Sequence, residues 1–368
     1  MLLYLERESY LFNKVIKMAP SKRKNSSKKA AAEATFADEK SNAPKGKQGD
    51  TADYTLSSIM YGIFTVIMWY GFSASYNVYS QHMKVLPFPM TASLGQLIVG
   101  ALFAVPLWVL GLRDFPKGVT IMELITTLLP VAFLNAVGHA VALASMFRKG
   151  GGSFTQVIKA SEPVVSVVLS LVLNGVVPKP FTALSLVPIV YGVAYASTKG
   201  NLTMAAMSAE LLTTGSALAM ASNVAFALRS ILRKGLSKDF KSKVNADNDH
   251  AITELLSLVL TVPMLLLEDM TEVRSALINM SPEVTKSLLI ATVGSGLSFF
   301  LYNMFQNRVL SSLGPVPTAV GNTAKRVVIF VGLYLFTEGE TFPPAKIGGC
   351  AIAIGGCLVY ALCNSRKI

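Results

Sequence analysis

The chain has 368 residues, 52% hydrophobic and only 15% charged, with a formal net charge of +12. A soluble domain carries roughly 25% charged residues, so the deficit excludes an ordinary soluble protein and places the chain among membrane proteins. The positive excess sits in the first fifty residues and in short loops. No basic face is interleaved with stacking aromatics, which speaks against nucleic acid as a partner and for membrane lipids and topology.

Residues 1–54 differ in kind from the rest. The run Ser21-Lys22-Arg23-Lys24-Asn25-Ser26-Ser27-Lys28-Lys29 has no apolar periodicity and reads as part of a disordered basic tail. The opening MLLYLERESYLFNKVIK lacks an uninterrupted apolar core and does not read as a signal peptide. A transporter domain is expected over 55–364. Ten apolar segments of helical length follow, at 56–80, 90–112, 122–146, 153–174, 182–198, 206–232, 251–267, 286–308, 314–337 and 344–364. The breaks between them carry turn chemistry, as in Leu86-Pro87-Phe88-Pro89, Gly150-Gly151-Gly152, Pro178-Lys179-Pro180 and Phe342-Pro343-Pro344.

Charge supports an even number of crossings. Loops after even-numbered segments are basic (Arg113, Lys117, Lys179, Lys234, Lys238, Lys241, Lys243, Arg308), and so are both termini. The loop after segment seven holds Glu268, Asp269, Glu272 and Glu283, whereas Lys84, Arg148 and Lys149 run against the bias. The chain also echoes itself. Lys159 opens an apolar stretch running to Asn174-Gly175, a Pro-containing break, and a small-residue helix ending near Tyr195-Ala196. Lys325 opens a similar series, to Glu338-Gly339, a Pro break, and a Gly-rich helix ending near Tyr360-Ala361. The expected fold is therefore all-α, with ten transmembrane helices as two inverted five-helix repeats, 56–198 and 206–364. Such repeats place a site between them near the midplane.

Four cations interrupt these apolar stretches: Lys159, Arg229, Lys325 and Arg326. A charge at the bilayer centre costs about 3 kcal/mol or more. Glu162 lies three residues after Lys159 and offers an ion pair on the same helical face. Pro163 is expected to kink or interrupt the helix. Arg229 lies near the basic end of its segment and has snorkelling to the interface as an alternative. Lys325 and Arg326 lie near the middle of segment nine, too deep for both to snorkel. Adjacent helix positions point about 100° apart, so the pair flanks one pocket from different sides. His139 and Tyr302 are neutral donors inside segments three and eight; alone, each is more often an internal hydrogen-bonding residue than a ligand contact, and a shared pocket with the four cations favours the ligand role.

Nearby acids are too few to neutralise four cations, and a small anion is the simplest counter-charge. The pattern therefore implies a polytopic carrier for a multiply charged anion. No hydrolytic triad, metal cluster, nucleotide-binding loop or dinucleotide glycine pattern is present, so the sequence implies no enzyme, no metal and no cofactor. Cys350, Cys357 and Cys363 read as apolar packing residues.

At these residues the chain resembles the plastid triose-phosphate/phosphate translocators of the drug/metabolite transporter superfamily. The matching stretches are SFTQVIKASEPVVSVVLS at 153–170, SNVAFALRSI at 222–231 and FFLYNMFQNRVLSSLGPVPTAVGNTAKRVVIF at 299–330, with PFPMTASLGQLIVGALFAVPLWVLGLR at 87–113 similar too. The triple-glycine SFT version is similar to members from algae with secondary plastids.

The resemblance implies exchange of triose phosphate, 3-phosphoglycerate or phosphoenolpyruvate against inorganic phosphate, by alternating access across a plastid envelope membrane. It implies that Lys159, Arg229, Lys325 and Arg326 hold the anion, and that His139 and Tyr302 meet the three-carbon body. Ala142 stands where some members have a threonine that helps hold phosphate. A sugar-phosphate or nucleotide-sugar carrier of the same architecture is the alternative, and an outer membrane of a secondary plastid is an alternative location.

Overall fold

The computed structural model describes residues 56–148, 151–175, 177–211, 213–313 and 315–365; the tail expected over 1–54 lies outside them. Among the described residues there are fifteen α-helices and no strand. They are α1 (Leu56–His82), α2 (Pro89–Val109), α3 (Ile121–Phe147), α4 (Gly151–Lys159), α5 (Glu162–Asn174), α6 (Pro180–Leu184), α7 (Leu186–Ser197) and α8 (Met204–Leu211). The second set is α9 (Thr214–Gly235), α10 (Lys238–Lys243), α11 (Ala246–Thr261), α12 (Met270–Ile278), α13 (Pro282–Leu313), α14 (Pro315–Phe336) and α15 (Pro344–Ser365). Seven stretches are long and apolar enough to cross a membrane, and the bent pair α4–α5 makes an eighth if it is one span. The protein is an all-α membrane protein.

Several expected single helices are broken, each for a local reason. The stretch 153–174 is two helices bent by 40°. The break falls at Ala160 and Ser161, ahead of Pro163, which sits in the first turn of α5, where its missing N–H leaves no helical bond unmade. The stretch 206–232 is also two helices, because the Thr213 side chain accepts from the Ser216 N–H and restarts the helix as α9. The stretch 251–267 is α-helical only to Thr261. Pro263 cannot donate into the ladder, and Val262–Leu267 tightens into a 3-10 turn. The stretch 182–198 begins at Pro180 and is interrupted at Ser185, whose hydroxyl bonds the Thr182 carbonyl at 2.7 Å. Segment 286–308 is longer than expected. α13 runs 32 residues, with Glu283 and Lys286 before its apolar part and Asn307 and Arg308 at its far end.

Two apolar cores flank the middle of the bundle. One joins Trp69 of α1, Ala104 of α2, Ala251 of α11 and Phe300, Met304 and Phe305 of α13. The other joins Val157 and Ile158 of α4, Ile189 and Val193 of α7, Ala219 of α9 and Ala353 and Cys357 of α15. α7 and α15 cross with their backbones touching. A Cβ at Gly192 would sit 2.5 Å from the Gly349 carbonyl oxygen, and one at Gly349 would sit 2.6 Å from that of Gly192. Small residues at such crossings replace the hydrophobic drive that lipid removes.

At one end of the bundle Glu340, between α14 and α15, caps the start of α4. Its Oε1 accepts from the Gly152 N–H at 2.7 Å and the Ser153 N–H at 3.3 Å, and its Oε2 accepts from the Ser153 hydroxyl. Lys346 of α15 lies 3.9 Å from the same carboxylate and also bonds the Ser153 hydroxyl. Gly151 holds a φ of +70°, and a Cβ there would overlap Glu340, so glycine is required. The backbone donors of Gly152 and Ser153 are thus taken by a carboxylate of the chain itself. At the opposite end Arg233 pairs with Asp249 at 3.1 Å and Arg308 with Asp247 at 3.3 Å. Outside the apolar spans, Asp269 caps α12, and the hydrogen bonds from Thr271 and Glu272 hold its carboxyl below the ordinary range.

Candidate functional site

The four intramembrane cations come from three helices, α4, α9 and α14, and converge between the two cores, held by mainly neutral groups. Lys159 is the last residue of α4, so its side chain leaves the helix where the span breaks. Its ammonium donates to the Ser222 hydroxyl of α9 at 3.3 Å and stands 4.7 Å from the centre of the Phe226 ring. Arg229 of α9 places its guanidinium carbon 4.7 Å from the same ring and donates to the Asn135 amide oxygen of α3 at 2.5 Å. A single aromatic ring thus carries both charges; each such contact is worth about 0.5–2 kcal/mol, more when water is excluded. Arg229 turns inward to Asn135, and Arg233, one turn on, takes the surface ion pair.

Lys325 and Arg326 leave α14 in different directions. The Lys325 ammonium lies 5.3 Å from the Trp69 ring of α1 and 5.3 Å from the Tyr302 ring of α13. Arg326 reaches the break in the α4–α5 span. It donates to the Lys159 carbonyl at 2.8 Å, to the Gln156 amide oxygen at 3.3 Å and to Glu162 at 3.3 Å. The orphan carbonyls at a helix C-terminus carry partial negative charge, and a guanidinium there satisfies them. Glu162 stands at the start of α5, where a carboxylate suits the opposite end of the dipole. Arg326 so staples the two half-helices together. The Lys159–Glu162 pairing that the spacing allowed is replaced, as hydrogen-bonding partner of Glu162, by Arg326. The charge of Lys325 is felt together with those of Arg326, Lys159 and Arg229. Among the described residues, Glu162 is the one carboxylate within ion-pair distance of any of the four, and its side chain is 44% exposed.

His139 and Tyr302 lie beside the cations in an aromatic wall. The His139 ring stacks on Phe299 at 4.2 Å, and Tyr76 packs against His139, Phe299 and Tyr302 with centroids 5.3–6.2 Å apart. His139 Nδ1 is 3.0 Å from the Ser93 hydroxyl, which leaves Nε2 buried without a hydrogen-bond partner. Ala142, one turn beyond, is buried at 3% exposure.

Sequence reasoning named the charges but missed the groups that aim them. Asn135 accepts from Arg229 and donates to Ser257 at 3.0 Å. Gln156 accepts from Arg326 and donates to Asn77 at 2.7 Å. Ser222 accepts from Lys159 and donates to the Gly138 carbonyl at 2.9 Å. A usable signal existed in the spacing, since Gln156 precedes Lys159 by one turn and Asn135 precedes His139 by one turn. Neutral holders of this kind fix each cation without cancelling it. The site keeps a surplus of positive charge matched by donors in several directions, which suits an anion with several acceptor oxygens.

Residues 60–361 match the profile of the Triose-phosphate Transporter family. The chain belongs to that family. It lies within the drug/metabolite transporter superfamily, and its members are transporters, not enzymes. This Triose-phosphate Transporter family member is 33% identical over 307 residues to phosphoenolpyruvate/phosphate translocator 1, chloroplastic, of Oryza sativa subsp. japonica, covering 82% of this chain and 71% of that one. It is 33% identical over 301 residues to the triose phosphate/phosphate translocator, non-green plastid, of Brassica oleracea var. botrytis, covering 80% and 70%. It is 31% identical over 298 residues to glucose-6-phosphate/phosphate translocator 2, chloroplastic, of Arabidopsis thaliana, covering 80% and 72%. The chain is a multi-pass plastid membrane protein.

Proposed function

We propose that this transporter exchanges a phosphorylated three-carbon metabolite, triose phosphate or 3-phosphoglycerate, for inorganic phosphate across a plastid envelope membrane. The observation that carries the reading is four cations brought together, Lys159 and Arg229 on one aromatic ring, Arg326 at the helix break and Lys325 between Trp69 and Tyr302, with Glu162 the single half-exposed carboxylate paired to them among the described residues. A phosphate ester carries about −1.5 to −2 charge at pH 7 and three strong acceptor oxygens. Lys159, Arg229, Lys325 and Arg326 hold that group; His139, through its unpartnered Nε2, and Tyr302 meet the carbon body.

The architecture proposed with it is ten spans in two inverted repeats, 56–198 and 206–364, with the 1–54 tail as a separate segment. Adding α1 and α14, of 27 and 22 residues, to the eight apolar stretches gives ten. The packing supports the repeat. α1 packs on α13 and α14, and α9 packs on α3 and on the α4–α5 pair; α2 packs on α13, and α11 packs on α3. Exchanging the first five spans for the last five maps each of these contacts onto its counterpart.

Phosphoenolpyruvate exchange is the second reading, supported by the 33% identity to phosphoenolpyruvate/phosphate translocator 1, chloroplastic, of Oryza sativa subsp. japonica. Sugar phosphates are a wider alternative in the same site. Counter-exchange in phosphate-loaded vesicles decides between them. Triose phosphate and 3-phosphoglycerate should be taken up only when phosphate is inside. Uptake of phosphoenolpyruvate or a hexose phosphate with exclusion of both would move the assignment to that substrate, and no phosphate-dependent uptake of any ester would end it.

A further inference from the structure

A second set of ionisable side chains lies inside the apolar spans, away from the phosphate-binding cations. Glu254, in the middle of α11, is 1% exposed, and neither carboxyl oxygen has a hydrogen-bond partner among the described residues. His250, one turn earlier, brings its Nε2 within 3.2 Å of Oε2. The same Nε2 is 3.3 Å from the Phe300 carbonyl oxygen. One imidazole nitrogen so faces two acceptors, and it carries at most one proton. The carboxyl is packed against bare backbone, because a Cβ at Gly100 of α2 would fall 1.9 Å from Oε1. Buried polar atoms are nearly always partnered, and an ionisable group in a span is functional by default.

The surroundings bear on which form the pair takes. Arg233 and Arg229 of α9, and Arg113 beyond α2, act on His250 through their charges. His250 meets the Phe300 carbonyl of α13, two residues before Tyr302, whose ring meets Lys325, so the pair and the chamber share that stretch of α13. From α3 the neutral Asn135 amide and the Ala132 carbonyl meet α11 at Ser257. On α11 itself, Asp249 and Asp247 lie toward its N-terminal end and are paired with Arg233 and Arg308. As an anion Glu254 has no donor hydrogen bond to its oxygens and faces the imidazole of His250, which is charged only when protonated. As a neutral acid it donates to Nε2 of His250. The proton is what separates the two forms.

We propose that His250 and Glu254 form a proton-binding site of the carrier, loaded when a trivalent phosphorylated acid is in the chamber and emptied when divalent phosphate is. This rests on the exchange reading above. The balance is simple. The acid crosses one way with one proton on the pair, phosphate returns with the pair deprotonated, and the total charge moved in each direction is the same. The proton comes from water on the side the acid leaves and is released to water on the side it enters.

The test uses the full chain in vesicles loaded with phosphate and a pH-sensitive dye, at about pH 8, where both phosphate groups are past their second ionisation. 3-Phosphoglycerate is the trivalent probe added outside. The unaltered carrier should acidify the lumen by about one proton per molecule taken up, as the proposed stoichiometry requires. Glu254→Gln, close in volume, should move the acid without the proton and make its uptake respond to membrane potential. Lumen acidification that persists undiminished in Glu254→Gln overturns the proposal, and so does electroneutral uptake without a proton in the unaltered carrier. That last measurement needs no variant, so a misfolded Glu254→Gln does not protect the idea. Failure of phosphate-for-phosphate exchange in the unaltered carrier would instead strike the exchange reading.

Discussion

Arg326 is the residue on which most of the site's geometry depends. Its guanidinium bonds the Lys159 carbonyl, Gln156 and Glu162 at once, and a lysine at that position has neither the fork nor the reach to do the same. Removing one partner of a buried charged hydrogen-bond set costs about 2–5 kcal/mol. Arg326→Ala should therefore lower exchange about 100-fold or more, and Arg326→Lys should recover little of it, measured as phosphate counter-exchange at matched amounts of inserted protein. Wild-type exchange in either would remove the residue from the site. The cations were legible in the sequence because a charge stands out against an apolar stretch. Asn135, Gln156 and Ser222 were not, since a neutral polar residue in a helix looks alike whether it aims a guanidinium or bonds its own backbone.

At the scale of elements, apolar length and turn chemistry located the spans, and the misses fall where a cap or proline acts inside one. Thr213 and Pro263 each interrupt a stretch whose hydropathy runs on regardless. The crossing of α7 and α15 was half-visible, as glycines without a stated partner. It gives a sharp contrast between neighbours on one helix. Gly349→Val places a side chain into the backbone of α7, at Ala196 and Gly192, whereas a Cβ at Gly355 meets nothing within 4 Å. Overpacking costs about 1–3 kcal/mol where side chains yield, and here backbone must move. Thermal unfolding in detergent should show Gly349→Val lowered by several degrees, or unrecoverable as folded protein, with Gly355→Val near the parent. Equal stability of the two would mean that the helices do not cross so closely.

For the whole molecule, the surplus of positive charge between the two cores makes the empty carrier different from the loaded one. With no anion aboard, Lys159, Arg229, Lys325 and Arg326 face one another with Glu162 as their one ion-paired acid. Like charges at such range repel by several kcal/mol when water is scarce. Closing over an empty chamber is therefore penalised and closing over phosphate is not. Net efflux of phosphate into a medium without exchangeable anion should run at least about tenfold below counter-exchange, as a penalty of about 1.4 kcal/mol already gives. Equal rates would show that the empty form crosses freely. The clamp of Glu340 on the first turn of α4 carries a separate consequence. It ties an early helix to a late connection, and lipid has no donors with which to replace Gly152 and Ser153. That mouth of the bundle parts only as fast as solvent seeps in to coat the released carboxylate and amides, so wetting of a single crevice sets the tempo there.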